Sequence, residues 1–246
     1  MDAHAGTRPF SFRCPGGPLA GRVARWVFPI VERILGLAEL NRLYAAAGAE
    51  GGSDQRFCAA ALTAMGVSWH DTNLSRVPRF GPLIVVANHP FGALEGLVLE
   101  ALIARVRPDV KVLSNYLLAR VPELRSTSIF VDPFGGEQAR QRNLGPMRET
   151  IEWLHNGHAL IVFPAGEVAH LDLRTGGIVE PPWNRNVARI ARRRSRDSGS
   201  IRSVPTTHSG GSLRRISYLD SPTTPPCGMP GLAAVIVEMP RWRIAR

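Results

Sequence analysis

The sequence predicts an α/β protein with a mostly parallel sheet, which is flanked by helices and preceded by N-terminal helices. Three short apolar runs, at residues 83–87 (LIVVA), 128–131 (SIFV) and 159–163 (ALIVF), are separated by helical patterns. Each run ends in a loop rich in proline or glycine. Because the carboxyl ends of parallel strands share one edge of a sheet, we expect these loops to build a common site.

Length and composition favour one folded domain in a reducing compartment. The chain has 246 residues, of which 44% are hydrophobic and 20% charged, so it can bury one sizeable core. Its three cysteines, Cys14, Cys58 and Cys227, are far apart and lack the spacing of a zinc site or a disulfide framework. We interpret each of them as a structural thiol.

The first helical segment, residues 23–37, is apolar at helical spacing but is interrupted by Arg25, Glu32 and Arg33. A spanning helix needs about 20 mostly apolar residues, so this segment is not expected to cross a bilayer. Docking onto the sheet and shallow membrane insertion both fit the pattern, and docking is the commoner fate. No signal peptide is recognised before it, so export is not expected.

The remaining elements follow in order. Helices are predicted around residues 43–47 and 57–62, with a break at 48–53, and again at 97–103 and 144–154. A short strand is predicted at 110–113. The segment HNGH at 155–158 has a metal-like histidine spacing, but its Asn-Gly favours a turn before the next strand.

Residues 88–96 (NHPFGALEG) follow directly on the first strand and place His89 and Glu95 where a strand turns into a helix. A histidine titrates near neutral pH, and a carboxylate can hold its tautomer, so the two form a candidate acid/base pair. The alternative is that either residue merely satisfies a helix start. Six positions on a regular helix would hold the side chains apart. The pairing therefore depends on a loop, which Pro90 and Gly92 indicate.

These motifs resemble the glycerolipid (lysophospholipid) acyltransferases, and within them the hemolysin-like branch related to ornithine-lipid acyltransferases, over residues 28–192. That branch has His-Pro-x-Gly-x-x-Asp-Gly, and His89 and Glu95 fit its spacing with Glu in place of Asp. The resemblance implies that His89 is the general base and that Glu95 orients and charge-stabilises its imidazole, without a covalent intermediate.

Two further segments resemble acceptor-binding motifs of that family. Residues 163–167 (FPAGE) stand in place of Phe-Pro-Glu-Gly, with Ala165 at the glutamate position and Glu167 after the glycine. Residues 130–132 match the other motif, but its usual arginine is replaced around Asp132, which favours an amine-bearing lipid acceptor. The resemblance thus implies a set of substrate-binding residues, namely Asn88, Phe130, Phe163, Pro164, Gly166 and Glu167.

The resemblance implies transfer of a fatty acyl group from acyl-CoA or acyl carrier protein to a lysophospholipid or lyso-aminolipid, with no cofactor and no metal. It places the protein in the cytoplasm, peripheral on the inner face of the cell membrane. No phosphate-loop or dinucleotide fingerprint occurs, and no Gly-x-Ser-x-Gly elbow.

The C-terminal region differs from the rest of the chain. Residues 189–246 hold 11 of the 30 basic and 3 of the 20 acidic residues, so most of the net charge of +10 lies there. The family pattern stops near Arg192, and we divide the chain into an irregular N-terminus (1–22), an acyltransferase domain (23–192) and an atypical basic tail (193–246).

Two interpretations of this tail stay open. One is a disordered linker, and the other is an out-of-frame translation product, since Lys111 is the single lysine against 29 arginines, as in a GC-rich gene. The alternative to the enzyme is therefore a truncated or frameshifted inactive relic, or a basic non-enzymatic binding protein. No motif for specific nucleic-acid recognition accompanies the charge.

Overall fold

The fold is taken from a computed structural model of the chain. It describes residues 8–12, 27–28, 30–51, 54–67, 74, 77–174, 176–179 and 181–183, together with the backbone of three strands within 202–238. Cys14, Cys227 and the stretch around Arg193 lie outside the described residues.

A seven-stranded sheet forms the centre of the fold, in the order β3-β2-β4-β1-β9-β8-β7. Pairing is parallel from β3 through β9 and antiparallel between β9, β8 and β7. A separate antiparallel pair, β5 and β6, follows β4. The strands are β1 (Leu83–Ala87), β2 (Val110–Asn115), β3 (Ser128–Val131), β4 (Ala159–Val162), β5 (His170–Asp172), β6 (Gly177–Val179), β7 (Arg202–Ser203), β8 (Arg215–Asp220) and β9 (Ala233–Glu238).

In the described part of the chain, five α-helices follow residues 30–34, which are also helical, and with the parallel strands they confirm the predicted mostly parallel α/β class. They are α1 (Leu37–Gly51), α2 (Asp54–Ala64), α3 (Ala93–Ile103), α4 (Gly136–Arg142) and α5 (Leu144–His155). Two short 3-10 turns, Tyr116–Arg120 and Pro122–Leu124, connect β2 to β3. The predicted break between the first two helices is narrower than expected, because α1 continues through Gly51.

Both faces of the sheet are buried, as expected of parallel strands covered by helices. Alternate residues of β1 belong to two different cores. Leu83, Val85 and Ala87 pack with residues of α1, α2 and α3, whereas Ile84 and Val86 pack with Leu154 of α5 and its neighbours. This double burial explains why β1 is apolar at every position.

The N-terminal segment does not dock as the helix pattern favoured. Residues 30–34 are helical, but Ile30 and Ile34 are 61% and 78% exposed and Val27 is also exposed. The segment contacts Phe12 in two ways: the Phe28 ring lies 5.3 Å from that of Phe12, and Glu32 Oε1 accepts a hydrogen bond of 2.8 Å from the Phe12 N–H. The expectation of docking is therefore wrong for these apolar positions, whose face remains open. No helix in the described parts of the chain is long and apolar enough to cross a membrane.

The C-terminal region, expected to be irregular or out of frame, adds three strands to the sheet. β9 pairs in parallel with β1, with Leu83 opposite Ala233 and Ala87 opposite Val237. Its sequence, AAVIVE, is apolar and partly β-branched, which favours a strand. The sequence that precedes β9 is rich in Ser, Thr and Pro, so the strand pattern was not recognised. That the tail is an out-of-frame translation product stays a prediction.

Candidate active site

The chain turns sharply between β1 and α3, and this turn determines where His89 lies. The strand ends at Ala87, His89 follows two residues later, and α3 begins at Ala93. Gly92 precedes the helix with a φ of 79°, a left-handed conformation that favours glycine. A backbone hydrogen bond from Ala169 N–H to the His89 carbonyl, 3.0 Å long, ties the segment before β5 to this turn.

Glu95 lies in the first turn of α3, and its two carboxylate oxygens have different partners. Oε1 accepts a hydrogen bond from the backbone N–H of Phe91, so this oxygen satisfies the helix start. Oε2 lies 3.5 Å from Nδ1 of His89. The Glu95 side chain is fully buried and that of His89 is 18% exposed. The geometry therefore fits both interpretations: Oε1 serves the helix start, and Oε2 faces His89, while the acid/base role of this pair stays a prediction.

The His89–Glu95 contact is at the long end of hydrogen-bond geometry. Nδ1 and Oε2 are both buried, and neither makes a hydrogen bond to another group in the described part of the chain. Catalytic hydrogen bonds are often long before substrate binds, and they tighten in the reactive complex. With Nδ1 directed at the carboxylate, Nε2 is the ring nitrogen left to exchange a proton with a substrate.

Phe163 brings the second motif to the same place. It follows β4, the neighbour of β1 in the sheet, and its ring stacks on the His89 imidazole with centroids 4.3 Å apart and planes 23° apart. The chain then turns away through a hydrogen bond from Gly166 N–H to the Phe163 carbonyl, with Gly166 at a φ of 70°. The first motif, with His89, and the second motif, with Phe163, are therefore in direct contact through these two aromatic rings.

A cleft of about 300 Å³ opens at the carboxyl ends of β2 and β3. It lies on the same edge of the sheet as His89, but β4 separates its strands from β1. Asp132 is buried in its wall and accepts hydrogen bonds from Arg142 Nη1 (2.9 Å) and from the Phe134 N–H (3.1 Å). The lining residues are Tyr116, Phe130, Val131, Asp132, Arg142 and Asn143.

Arg142 is a residue that the motif comparison missed. It stands ten positions after Asp132, at the end of α4, and its guanidinium is directed at the carboxylate by the fold. An arginine is therefore present beside the acceptor motif, although its charge is paired with Asp132. No spacing in the sequence could have connected the two residues.

The other predicted site residues are spread along this edge. Asn88 and Pro164 are buried next to His89 and Phe163 in the chain, and Phe130 is half-buried in the cleft wall. Gly166 and Glu167 are exposed in the loop after β4. Whether Glu167 takes the part of the motif glutamate stays a prediction.

A buried carboxyl group on α3 was also missed. Glu100, one and a half turns after Glu95, is 3% exposed. Burial raises the pKa of Glu100 to about 7, and the neighbouring Thr127 hydroxyl and Cys58 thiol offset this only in part. Burial and the nearby Glu100 carboxylate raise the pKa of Cys58 well above its usual value, which makes it an inert thiol.

The fold and the site define an α/β protein with a histidine–carboxylate pair at the carboxyl edge of its parallel sheet. The chain matches the acyltransferase family over residues 29–214, more than half of its length, and it belongs to that family. This match ends at residue 214, beyond residue 192, the predicted end of the acyltransferase domain. No curated protein matches the chain.

Proposed function

We propose that the protein transfers a fatty acyl group from an acyl thioester to a lysolipid, with His89 as the general base. The observation that carries this proposal is the contact of 3.5 Å between His89 Nδ1 and the buried Glu95 carboxylate, within an acyltransferase domain. The chemistry that such a pair supports is proton removal from a hydroxyl or an amine as it attacks a carbonyl.

The proposed reaction is an addition followed by an elimination at the thioester carbonyl, without an acyl-enzyme intermediate. His89 Nε2 takes the proton of the acceptor hydroxyl or amine while the acceptor atom attacks the thioester carbonyl carbon. The tetrahedral intermediate collapses as the C–S bond breaks, and the imidazolium returns its proton to the thiolate. Glu95 stabilises the imidazolium, and backbone N–H groups in the first turn of α3 stabilise the oxyanion.

The acceptor we favour carries an amine, as a lyso-aminolipid does. Arg142 would be the ligand for a phosphate, but its guanidinium is already paired with Asp132 at 2.9 Å. An ammonium group in the cleft would compete with Arg142 for the Asp132 carboxylate, which stands where the resembled family motif usually has an arginine. The second acceptor class, a lysophospholipid, would have to draw Arg142 away from this ion pair.

We place the reaction at the cytoplasmic surface of the cell membrane, with acyl-CoA or acyl carrier protein as donor and no further cofactor. The support for a membrane surface is the open apolar face of residues 30–34, where Ile30 and Ile34 are exposed. Exposed apolar side chains on a short amphipathic helix can insert shallowly among lipid headgroups. The Arg-rich region after residue 188 would add attraction to anionic lipid.

The test is transfer of a labelled acyl group from both donors to a panel of lysophospholipids and lyso-aminolipids. We expect transfer to an amine-bearing acceptor, reduced at least about 100-fold in His89→Ala. The matched control is His155→Ala, because His155 is exposed at the end of α5. Soluble, folded protein that transfers from neither donor, or His89→Ala at the wild-type rate, would contradict the proposal and favour the inactive or non-enzymatic alternative.

A further inference from the structure

The orientation of the His89 ring needs an external constraint. Rotation of an imidazole about its Cβ–Cγ bond has broad, roughly two-fold preferences, so the rotamer alone does not determine where Nδ1 is directed. The contact with Glu95, at 3.5 Å, fixes the distance on one side of the ring only loosely. The ring of Phe163 stacks on that of His89, with centroids 4.3 Å apart and planes 23° apart.

We propose that Phe163 is a positioning residue for the general base, and this inference rests on the proposed function. Its ring holds the imidazole of His89 in the plane in which Nδ1 faces Glu95 and Nε2 is left for the acceptor. The family resemblance implied a substrate-binding role for Phe163, whereas the stacking geometry assigns it to the histidine.

Gly96 lies beside this ring. A Cβ added at Gly96 would lie 4.0 Å from Cε2 of Phe163, which is ordinary van der Waals contact. Alanine would therefore fit beside the ring, whereas a branched side chain would push it.

The arrangement combines three supports on His89 from three different segments. Glu95 comes from the start of α3, Phe163 from the end of β4, and the N–H of Ala169 from the segment before β5. Glu95 and Phe163 contact the ring, whereas Ala169 bonds the backbone carbonyl of His89. The ring orientation therefore depends on the pairing of β1, which precedes His89, with β4, which precedes Phe163. A substrate contact alone would not require Phe163 to lie parallel to the imidazole.

The first test is NMR of the His89 imidazole in the full-length protein, with its signals assigned by their loss in His89→Ala. In the wild type we expect one dominant tautomer, with the proton on Nδ1, and upfield ring-current shifts of the imidazole protons. Phe163→Leu should abolish these shifts and mix the tautomers, whereas Phe163→Tyr should retain both. Phe80→Leu, which removes a phenylalanine that is 84% exposed, is the control.

The second test is the kinetics of acyl transfer. We expect Phe163→Leu to lower kcat about 10-fold with KM changed less than about twofold, and Phe163→Tyr to restore kcat. If Phe163→Leu does not fold, Gly96→Val places a branched side chain against the edge of the ring and should give the same loss of tautomer preference, while Gly96→Ala, which fits at 4.0 Å, should not.

Unchanged tautomers in Phe163→Leu, or a rise in KM without a fall in kcat, would overturn the inference, the latter by assigning Phe163 to the substrate. The result also separates the two proposals. Suppose that the wild type transfers no acyl group but that Phe163→Leu loses the single dominant tautomer of His89. The positioning role of Phe163 then stands, and the proposed function fails.

Discussion

Two histidine–carboxylate pairs lie at opposite edges of the same sheet. At the carboxyl edge, His89 Nδ1 is 3.5 Å from Glu95, and its ring stacks on Phe163. At the amino edge, where β2 and β4 begin, His158 Nδ1 is 3.2 Å from Asp109, and its ring lies 4.2 Å from that of Trp153. Judged by pair distance alone, the second pair would be the better candidate for acid/base chemistry.

The carboxylates distinguish the two pairs. Asp109 accepts two hydrogen bonds from Arg107, at 2.8 and 2.7 Å, and Arg107 also donates to the carbonyls of Pro78 and Gly157. Burial raises the pKa of Asp109, but the Arg107 hydrogen bonds and charge, with His158, lower it below its usual value. Its negative charge is thus committed to an arginine that is 1% exposed.

Glu95 has no such competitor. Its Oε2 faces His89, and within the residues that the structure describes no lysine or arginine forms an ion pair with it. The comparison shows that the charge of Glu95 is left to stabilise an imidazolium, as the proposed mechanism requires, whereas the charge of Asp109 is paired with Arg107. The amino-edge pair, together with Arg107, instead connects the starts of β2 and β4 to the loop before β1, which is a structural role.

The largest expected effect is a loss of acyl-transfer activity on substitution of Glu95, which we do not expect for Asp109. Glu95→Gln should lower kcat roughly 1000-fold, or ~4 kcal/mol, since the amide cannot stabilise the imidazolium. Steady-state acyl transfer by protein of unchanged circular dichroism would measure it. A loss of less than about 10-fold would show that Glu95 serves only the helix start.

Asp109→Asn should act on stability instead. It leaves the buried Arg107 without its anion, which we expect to cost about 3 kcal/mol in the free energy of unfolding. Urea denaturation would measure this cost, and the folded variant should transfer acyl groups at the wild-type rate. An Asp109→Asn variant that is stable but inactive would reverse the two roles.

Glu100, a buried carboxyl group on α3, sharpens the comparison because no histidine is among the groups that shift its pKa. Its pKa is raised from an ordinary 4.5 to about 7, so the folded state retains a proton that the unfolded state loses. Its stabilising contribution is full below about pH 4.5 and is lost as the pH rises to about 7.

We expect the free energy of unfolding to fall by roughly 3 kcal/mol over that range, an order-of-magnitude figure. Glu100→Gln should remove this pH dependence, which urea titrations at pH 5, 6, 7 and 8 would detect. Equal slopes in both proteins would contradict the raised pKa.

The smallest effect is predicted for the amino-edge histidine. His158→Ala removes its contact with Asp109, which Arg107 still satisfies, so we expect a cost of about 1 kcal/mol. Thermal unfolding of the variant beside the wild type would show the difference. A cost above about 3 kcal/mol would mean that His158, rather than Arg107, holds this edge together.

Local patterns predicted much of the fold. The apolar runs at 83–87 and 159–163 are β1 and β4 nearly to the residue, and the HNGH segment is the turn before β4, with Gly157 at a φ of 85°. The pairing of His89 with Glu95 was also expected, because Pro90 and Gly92 indicated the turn. Each of these sequence patterns is local: it lies within a few residues of the strand or turn that it predicts.

Long-range contacts were not predictable in this way. The stacking of Phe163 on His89 depends on the register of β1 with β4, and the Asp132–Arg142 pair depends on the placement of α4. The polarity of Glu100 gave no hint of burial, because charged residues are rarely buried. The strand β9 was hidden by the composition of the text around it.

The central claim is that only the carboxyl-edge pair carries catalysis, and the most direct measurement is kcat/KM for acyl transfer in His89→Ala and His158→Ala, side by side at equal concentrations of folded protein. We predict that His89→Ala loses at least about 100-fold and that His158→Ala stays within about threefold of the wild type. An equal loss in both variants, or a loss in His158→Ala alone, would contradict the account.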